Sequence, residues 1–316
     1  MRLHHQFKLI QSLRAFFHQK GFLETLTPPM VPNPGMETHI HPFKVRSTLR
    51  SKDTDYYLHT SPEFCLKELL SRKEENLKNI YSISYCFRDE PESPIHRPQF
   101  LMLEWYRLQE RYERIMQDVE ELVAFCLEQP ELPIRKNLQS KKMVRMTMEE
   151  LWQETIQASP LDFIEKNELK KFIALNHKDV PLPKEDLSWD DYFFLLFLNK
   201  VEPKLKLWPL LLVYEFPAPL AALSTLKNAK VCERFEVYIN GIELCNAYNE
   251  LTDPEEQRRR FMQQNQDKMS LYSYSLPEPE RFLASLDRGL PPCAGIALGV
   301  ERLLTGLCEI ENPFFY

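Results

Sequence analysis

Residues 86–107 read CFRDEPESPIHRPQFLMLEWYR. Two β-type runs, Asn79–Arg88 and Gln99–Leu108, meet there in a loop holding Pro91, Pro94 and Pro98, so the segment is a strand–loop–strand unit. Period two along the second run puts Phe100, Met102, Glu104 and Tyr106 on one face and Leu101, Leu103 and Trp105 on the other. The second set is a core face. The first sets a carboxylate and a phenol among apolar neighbours, a mixture suited to a pocket wall rather than open solvent. Arg88, the acids Asp89 and Glu90, then His96, Arg97 and Phe100 crowd into the loop and its flanks.

The C-terminal segment AGIALGVERLL, residues 294–304, is a glycine-flanked strand running into a helix that carries Arg302. Glycine is scarce, with seven in 316 residues, yet Gly295, Gly299 and Gly306 fall together here. Asn240-Gly241 joins Phe235–Ile239 to Ile242–Tyr248 as a hairpin, because Asn-Gly supplies the positive φ angles of a type I′ turn. There is no G-x-G-x-x-G and no G-x-x-x-x-G-K-[ST]. Any nucleotide phosphates are therefore held by side-chain cations and metal. At the N-terminus, Leu3, Phe7, Ile10, Leu13 and Phe17 recur at helical spacing up to Gly21, and Phe22–Thr27 reads as a strand. Residues 31–55 read as a polar connection, and Tyr56–His59 as a strand leading to a helix capped by Thr60 or Ser61 with Pro62 at its first position. Thr147 to Glu150 is a capping box, Ser188 to Asp191 a weaker start signal, and Asp253-Pro254 a third helix start. The middle third, roughly 130–205, is mostly helical and carries no evident chemistry.

In order along the chain, GFLETLTPPM at 21–30 (with Pro28), the 86–107 unit and the 294–304 segment resemble motifs 1, 2 and 3 of class II aminoacyl-tRNA synthetases. The lysine branch is closer. SPE at 61–63, RDE at 88–90, MLEWY at 102–106 and GIELCNAYNELTDPEEQRRRF at 241–261 resemble lysyl-tRNA synthetases, and still more their shortened paralogues, the elongation factor P–lysine (β-lysine) ligases. Ala297 in GIALG matches the ligases, where the synthetases have Gly. The resemblance implies an α+β fold, one catalytic domain over residues 1–316 with an antiparallel six-stranded sheet flanked by helices, dimerised through the Pro28 region, with no anticodon-binding domain. It implies ATP and Mg²⁺ as cofactors, a lysine-type amino acid as substrate, and elongation factor P as acceptor.

The same resemblance distributes roles. Arg88 would meet the α-phosphate, and Arg302 the γ-phosphate and adenine face. Phe100 would stack on adenine, with Asp89, Glu90, His96, Arg97, Leu244 and Gly299 completing the nucleotide site. Glu243 and Glu250 would be Mg²⁺ carboxylates, since Mg²⁺ prefers hard oxygen ligands bridged to phosphates. Their spacing of seven sets them on opposite faces of a regular strand, so either a bulge intervenes or Glu250 lies past the strand end. Glu63, with Ser61 and Pro62, would take the reacting-end ammonium. Glu104 and Tyr106 would hold the distal one, with Asn246, Glu250 and Ala297 nearby. The motif 2 loop departs from the family: H-N-P-E-F appears as His96-Arg97-Pro98-Gln99-Phe100, and the stretch after Phe216 is about two residues shorter.

Plainer readings stand beside these. Arg88 and Arg302 taken alone are surface cations, Glu104 a structural ion pair, Tyr106 a core phenol, and Ser61-Pro62-Glu63 a helix start. The role of His96 is open. At net charge −6, with no long Lys/Arg run, the surface as a whole repels a phosphate backbone, which counts against an RNA-charging truncated synthetase. Retention of Arg88, Glu243, Glu250 and Arg302 counts against a non-catalytic paralogue. The seven scattered cysteines form no C-x-x-C pair and read as reduced thiols of a cytosolic protein. Neither a signal peptide nor a membrane-length apolar stretch is present, so a soluble cytoplasmic protein is expected.

Overall fold

A computed structural model describes residues 2–46, 48–49, 55–72, 77–91, 93, 96–310 and 313. Pro94, in the motif 2 loop, lies outside the described residues, as do positions 47 and 50–54 of the 31–55 connection. The strands are β1 (Leu23–Glu24), β2 (Met30–Val31), β3 (Lys44–Val45), β4 (Tyr56–Leu58), β5 (Asn79–Phe87), β6 (Gln99–Leu108), β7 (Val144–Thr147), β8 (Leu210–Tyr214), β9 (Leu226–Asn228), β10 (Val231–Cys232), β11 (Arg234–Ile239), β12 (Ile242–Asn249) and β13 (Cys293–Gly299). The helices are α1 (Arg2–Gln19), α2 (Glu63–Leu70), α3 (Tyr112–Leu127), α4 (Met148–Ile156), α5 (Lys166–Asn176), α6 (Trp189–Leu196), α7 (Pro254–Tyr272), α8 (Glu280–Asp287) and α9 (Val300–Leu307).

The main sheet has the order β1-β5-β6-β13-β12-β11-β8-β7. Its six central strands, β5 to β8 in that order, are antiparallel throughout, as expected. Two short edge strands, β1 and β7, add to it in parallel. The expected run Phe22–Thr27 shrinks to the two residues of β1, and the 31–55 connection contributes β3 to a small sheet with β2 and β4. These short pieces are set by tertiary pairing and carry no alternation long enough to read.

Local chemistry explains the regular elements. Thr147 Oγ1 accepts from Glu150 N–H at 3.1 Å while Glu150 accepts from Thr147 N–H at 2.7 Å, closing the capping box of α4. Asp253 caps α7 and Pro254 occupies its first turn. Asn240 and Gly241 sit at φ 53° and 81°, the type I′ turn between β11 and β12. In α1 the buried stripe is Leu9, Leu13, Phe16 and Phe17, and Phe7 is 50% exposed. The core face is therefore rotated from the one the spacing suggested.

One face of the sheet carries Leu103, Trp105, Val237, Ala247, Ile296 and Leu298, sealed by α1, α3 and α9. The other face is treated differently along its length. A cluster around Trp152, Phe193 and Leu211 covers one end, and a cluster around Leu66, Phe261 and Phe282 covers the other. Between them the sheet floor stays open as a cleft. Among the described residues no helix is long and apolar enough to cross a membrane.

Candidate active site

Register decides which side chains share the cleft floor. Glu104 of β6 pairs with Ala297 of β13, and Ala297 pairs with Asn246 of β12. Tyr106, Gly295 and Tyr248 form the next row. β11 joins the same face, since Glu236 pairs with Asn246 and Arg234 with Tyr248. At Leu244 the register shifts: Val237 faces Cys245, but Tyr238 faces Glu243. This bulge carries Glu243 onto the face of Asn246 and Tyr248. Both alternatives left open by the sequence hold, because Glu250 also lies one residue past the end of β12.

The cleft wall includes Ser61, Glu63, Arg88, Glu90, His96, Arg97, Phe100, Glu243, Leu244, Asn246, Ala297, Gly299 and Arg302 from the expected set. Pro62, Asp89, Glu104, Tyr106 and Glu250 are not on it. Pro62 is the buried residue preceding α2, and Ser61 Oγ accepts from Glu63 N–H at 3.3 Å. Asp89 is exposed, and its N–H donates to His41 O at 2.7 Å. Glu104, Tyr106 and Glu250 lie behind the wall, buried.

These buried groups form an acidic cluster around one cation. Lys67 of α2 is fully buried, and its Nζ is 2.5 Å from Glu63 Oε1 and 2.6 Å from Glu250 Oε2. Burial alone would depress the Lys67 ammonium; Glu250 and Glu63 outweigh it and raise it. The Tyr106 hydroxyl donates to Glu104 Oε1 at 2.7 Å, while Glu104 Oε2 is buried without a hydrogen-bond partner among the described residues. Burial first, and the Glu63 charge second, push the Glu104 carboxyl well above the carboxylate range. Burial brings Glu250 to about 7 against the pull of Lys67. Glu37, from the loop before β3, joins the wall at this end.

The opposite end is cationic. The Arg88 guanidinium lies 5.2 Å from the Phe100 ring centroid, and its Nε is buried with no hydrogen-bond partner among the described residues. Arg302 donates to Glu243 O at 3.2 Å, and its Nη2 is 3.0 Å from His96 Nε2. Burial and the Arg302 charge lower the His96 pKa, so the ring is neutral. Its Nε2 then accepts from Arg302, which leaves Nδ1–H to donate to Ser93 Oγ at 2.9 Å. His96 thus ties the motif 2 loop to α9. Arg97 folds back on that loop, donating to His96 O at 3.0 Å. Glu301 accepts Leu101 N–H at 3.0 Å with both oxygens, and burial raises it to about 7.

One expected pairing fails. Glu243 and Glu250 stand at opposite ends of β12, ~20 Å apart at about 3.3 Å per residue, too far to share a Mg²⁺. Lys67 also already holds Glu250. The carboxylate beside Glu243 is Glu236, whose own charge is held by Arg234 at 2.6 Å and by the Tyr238 hydroxyl. Among the described residues no group of three or more His, Cys, Asp or Glu side chains forms a closed metal cage. Glu243, with Glu236 adjacent, fits the open kind of Mg²⁺ site, in which one or two carboxylates act together with substrate phosphates.

The family model for tRNA synthetases class II (D, K and N) matches residues 1–312. The chain belongs to this class II synthetase family. Proteins named elongation factor P–(R)-β-lysine ligase are among its relatives. The one from Proteus mirabilis is 34% identical over 310 residues, 96% of this chain and 90% of the relative. The one from Vibrio cholerae is 35% identical over 301 residues, covering 94% and 88%. The one from Buchnera aphidicola is 30% identical over 302 residues, covering 94% and 88%.

Within this class II site, Lys67, Glu37, Glu236 and Glu301 were not anticipated from sequence. Glu236 had a signal, since period two along β11 places Arg234, Glu236 and Tyr238 on one face. Lys67 had only its i,i+4 relation to Glu63, which on an ordinary helix marks a solvated pair.

Proposed function

We propose that this enzyme activates a lysine-type amino acid as its adenylate and passes the acyl group to a lysine side chain of elongation factor P. One observation carries the reading: the cleft has opposite charge at its two ends. Glu37, Glu63, Glu104 and Glu250 gather at one end, with Lys67 between Glu63 and Glu250, and Arg88 and Arg302 stand towards the other. That acidic excess suits a substrate with two ammonium groups, while the arginines suit a triphosphate. The relatives' names include (R)-β-lysine, a diamino acid, which supports the first of these.

In the first step the amino-acid carboxylate attacks the α-phosphorus and pyrophosphate leaves. Catalysis is alignment plus charge cancellation, because the nucleophile is already ionised at neutral pH. Arg88 would meet an α-phosphate oxygen, a role supported by its buried Nε, which has no hydrogen-bond partner among the described residues. Arg302, released from His96, would meet the γ-phosphate and close over adenine opposite Phe100. Mg²⁺, when bound by Glu243 with Glu236 adjacent, would supply neutralisation of the triphosphate charge. In the second step a deprotonated lysine amine attacks the acyl carbon and AMP leaves.

We read residues 1–316 as one catalytic domain of a cytoplasmic homodimer. Leu23, Leu26 and Met30, exposed at 54%, 89% and 46% beside Pro28, support a dimer contact there. The net charge of −6 supports a protein acceptor over tRNA. The test is ATP–pyrophosphate exchange across a panel of amino acids. Exchange should require Mg²⁺ and favour α-lysine or (R)-β-lysine. Exchange with none of the panel, or equal exchange with neutral amino acids, would refute the reading.

A further inference from the structure

We infer that Glu301 is a positioning residue for nucleotide binding: by holding the backbone of β6 at Leu101, its carboxylate fixes the gap between the Phe100 ring and Arg302. The inference rests on the reading of this end of the cleft as an ATP site, with adenine between those two side chains.

Strand pairing shows why a side chain is needed there. β13 and β6 pair in antiparallel register as far as Gly299 and Met102. The next step of that register would set Val300 opposite Leu101, but Val300 is the first residue of α9. The chain has left the sheet, and the Leu101 N–H has lost the strand that would have satisfied it. Glu301 supplies the acceptor instead, with both its oxygens 3.0 Å from Leu101 N. Leu101 is buried, so without that carboxylate its N–H would be left unpaired at a cost. Glu301 itself is 4% exposed, and it lies in the first turn of α9, where the helix dipole favours a negative charge.

Adjacency in sequence turns that bond into a spacer. Leu101 follows Phe100 on β6, and Glu301 precedes Arg302 on α9. Phe100, Glu301 and Arg302 all line the cleft. The stem of Arg302 lies over Gly299, 3.4 Å from where a Cβ would stand, so the guanidinium starts from a fixed base. One carboxylate therefore ties the strand carrying the aromatic ring to the helix carrying the cation. The His96 contact to Arg302 also reaches α9, but through the group that the nucleotide must take. The Glu301 link can persist with the site filled.

The test is pyrophosphate exchange by Glu301→Ala and Glu301→Gln, with inorganic tripolyphosphate as a competitor that carries the phosphates without the base. Glu301→Ala should raise KM for ATP about 10-fold or more, as loss of one hydrogen bond to a charged group does. It should leave KM for the amino acid and the inhibition constant of tripolyphosphate within about twofold of wild type, because neither uses the adenine gap. Glu301→Gln keeps an oxygen for the Leu101 N–H and should hold KM for ATP within about threefold of wild type. Glu301→Asp reaches less far and should fall between them; it carries the comparison if the alanine variant does not fold. An unchanged KM for ATP in folded Glu301→Ala would overturn the inference. Equal losses for ATP, tripolyphosphate and amino acid would also overturn it, since a general loosening of the sheet produces that pattern. So would a Glu301→Gln enzyme as poor as Glu301→Ala, which would make the charge, not the strand link, the operative feature. Tripolyphosphate that does not compete with ATP in the wild-type enzyme would instead remove the reading of the ATP site, and this inference with it.

Discussion

Replacing Lys67 with Met should be costly, and the cost should depend on pH in a calculable way. The side chain is 0% exposed between two carboxylates, at 2.5 Å from Glu63 and 2.6 Å from Glu250. Removing the cation leaves a buried carboxylate uncompensated, which typically costs about 3–5 kcal/mol. Protonation sets a ceiling on that cost. A carboxyl with an ordinary value of 4.5 that must carry a proton in the folded state costs about 1.36 kcal/mol per pH unit above that value. The ceiling is about 4.8 kcal/mol at pH 8 and about 2 kcal/mol at pH 6. The sign follows: the variant's carboxyl binds a proton when folded and loses it when unfolded, so its deficit grows as pH rises from 4.5. Urea unfolding of wild type and Lys67→Met at the two pH values measures the difference. Lys67→Met/Glu250→Gln, which removes a charge of each sign, should recover most of the loss. A Lys67→Met deficit below about 1 kcal/mol at pH 8, or one that does not shrink at pH 6, would refute the ion-pair account of this cluster.

Other consequences are equally open to measurement. In Gly295→Ala the new Cβ would lie 2.2 Å from Tyr106 Cε1 and 2.7 Å from Glu250 Oε1. Tyr106 is 1% exposed and held to Glu104, so stability should fall by about 1–3 kcal/mol, as calorimetry would show. Arg88→Ala and Arg302→Ala should each lower exchange by about 100-fold or more, since each removes a cation facing concentrated negative charge; normal rates in both would end the nucleotide-site reading. Glu250 titrates near 7, and the acidic cluster must be ionised to hold ammonium groups. The KM for lysine should therefore fall as pH rises through 7 while the KM for ATP does not follow it, and parallel pH profiles would contradict the division of the cleft.

What could be read in the sequence was whatever local chemistry writes into it. The I′ turn at Asn240-Gly241, the capping box at Thr147 and the two faces of β6 needed no tertiary knowledge. The ordered motifs brought Arg88, Phe100, Glu243 and Arg302 to one cleft. The failures share a cause: they depend on partners distant in sequence. β1, β2 and β3 exist because neighbouring strands pair with them, and α1 turns Phe7 outward because helices α3 and α9 fix which stripe is covered. The bulge at Leu244 moves Glu243 across the sheet, and no residue type announces it. Lys67 has a local relation only to Glu63, and its burial depends on Glu250, far along the chain, closing over it. Glu250 itself was assigned to a metal that its position just past the far end of β12 from Glu243 puts out of reach.

Acyl transfer is the step on which the account stands or falls. Enzyme, ATP, Mg²⁺ and lysine or (R)-β-lysine would be incubated with purified elongation factor P, and separately with tRNA. Intact mass spectrometry and peptide mapping would follow the protein, and acid-precipitable label the RNA. The account predicts a single acyl addition on one lysine of elongation factor P, abolished in Arg88→Ala, with little label on tRNA. Efficient charging of tRNA beside an unmodified elongation factor P would contradict it.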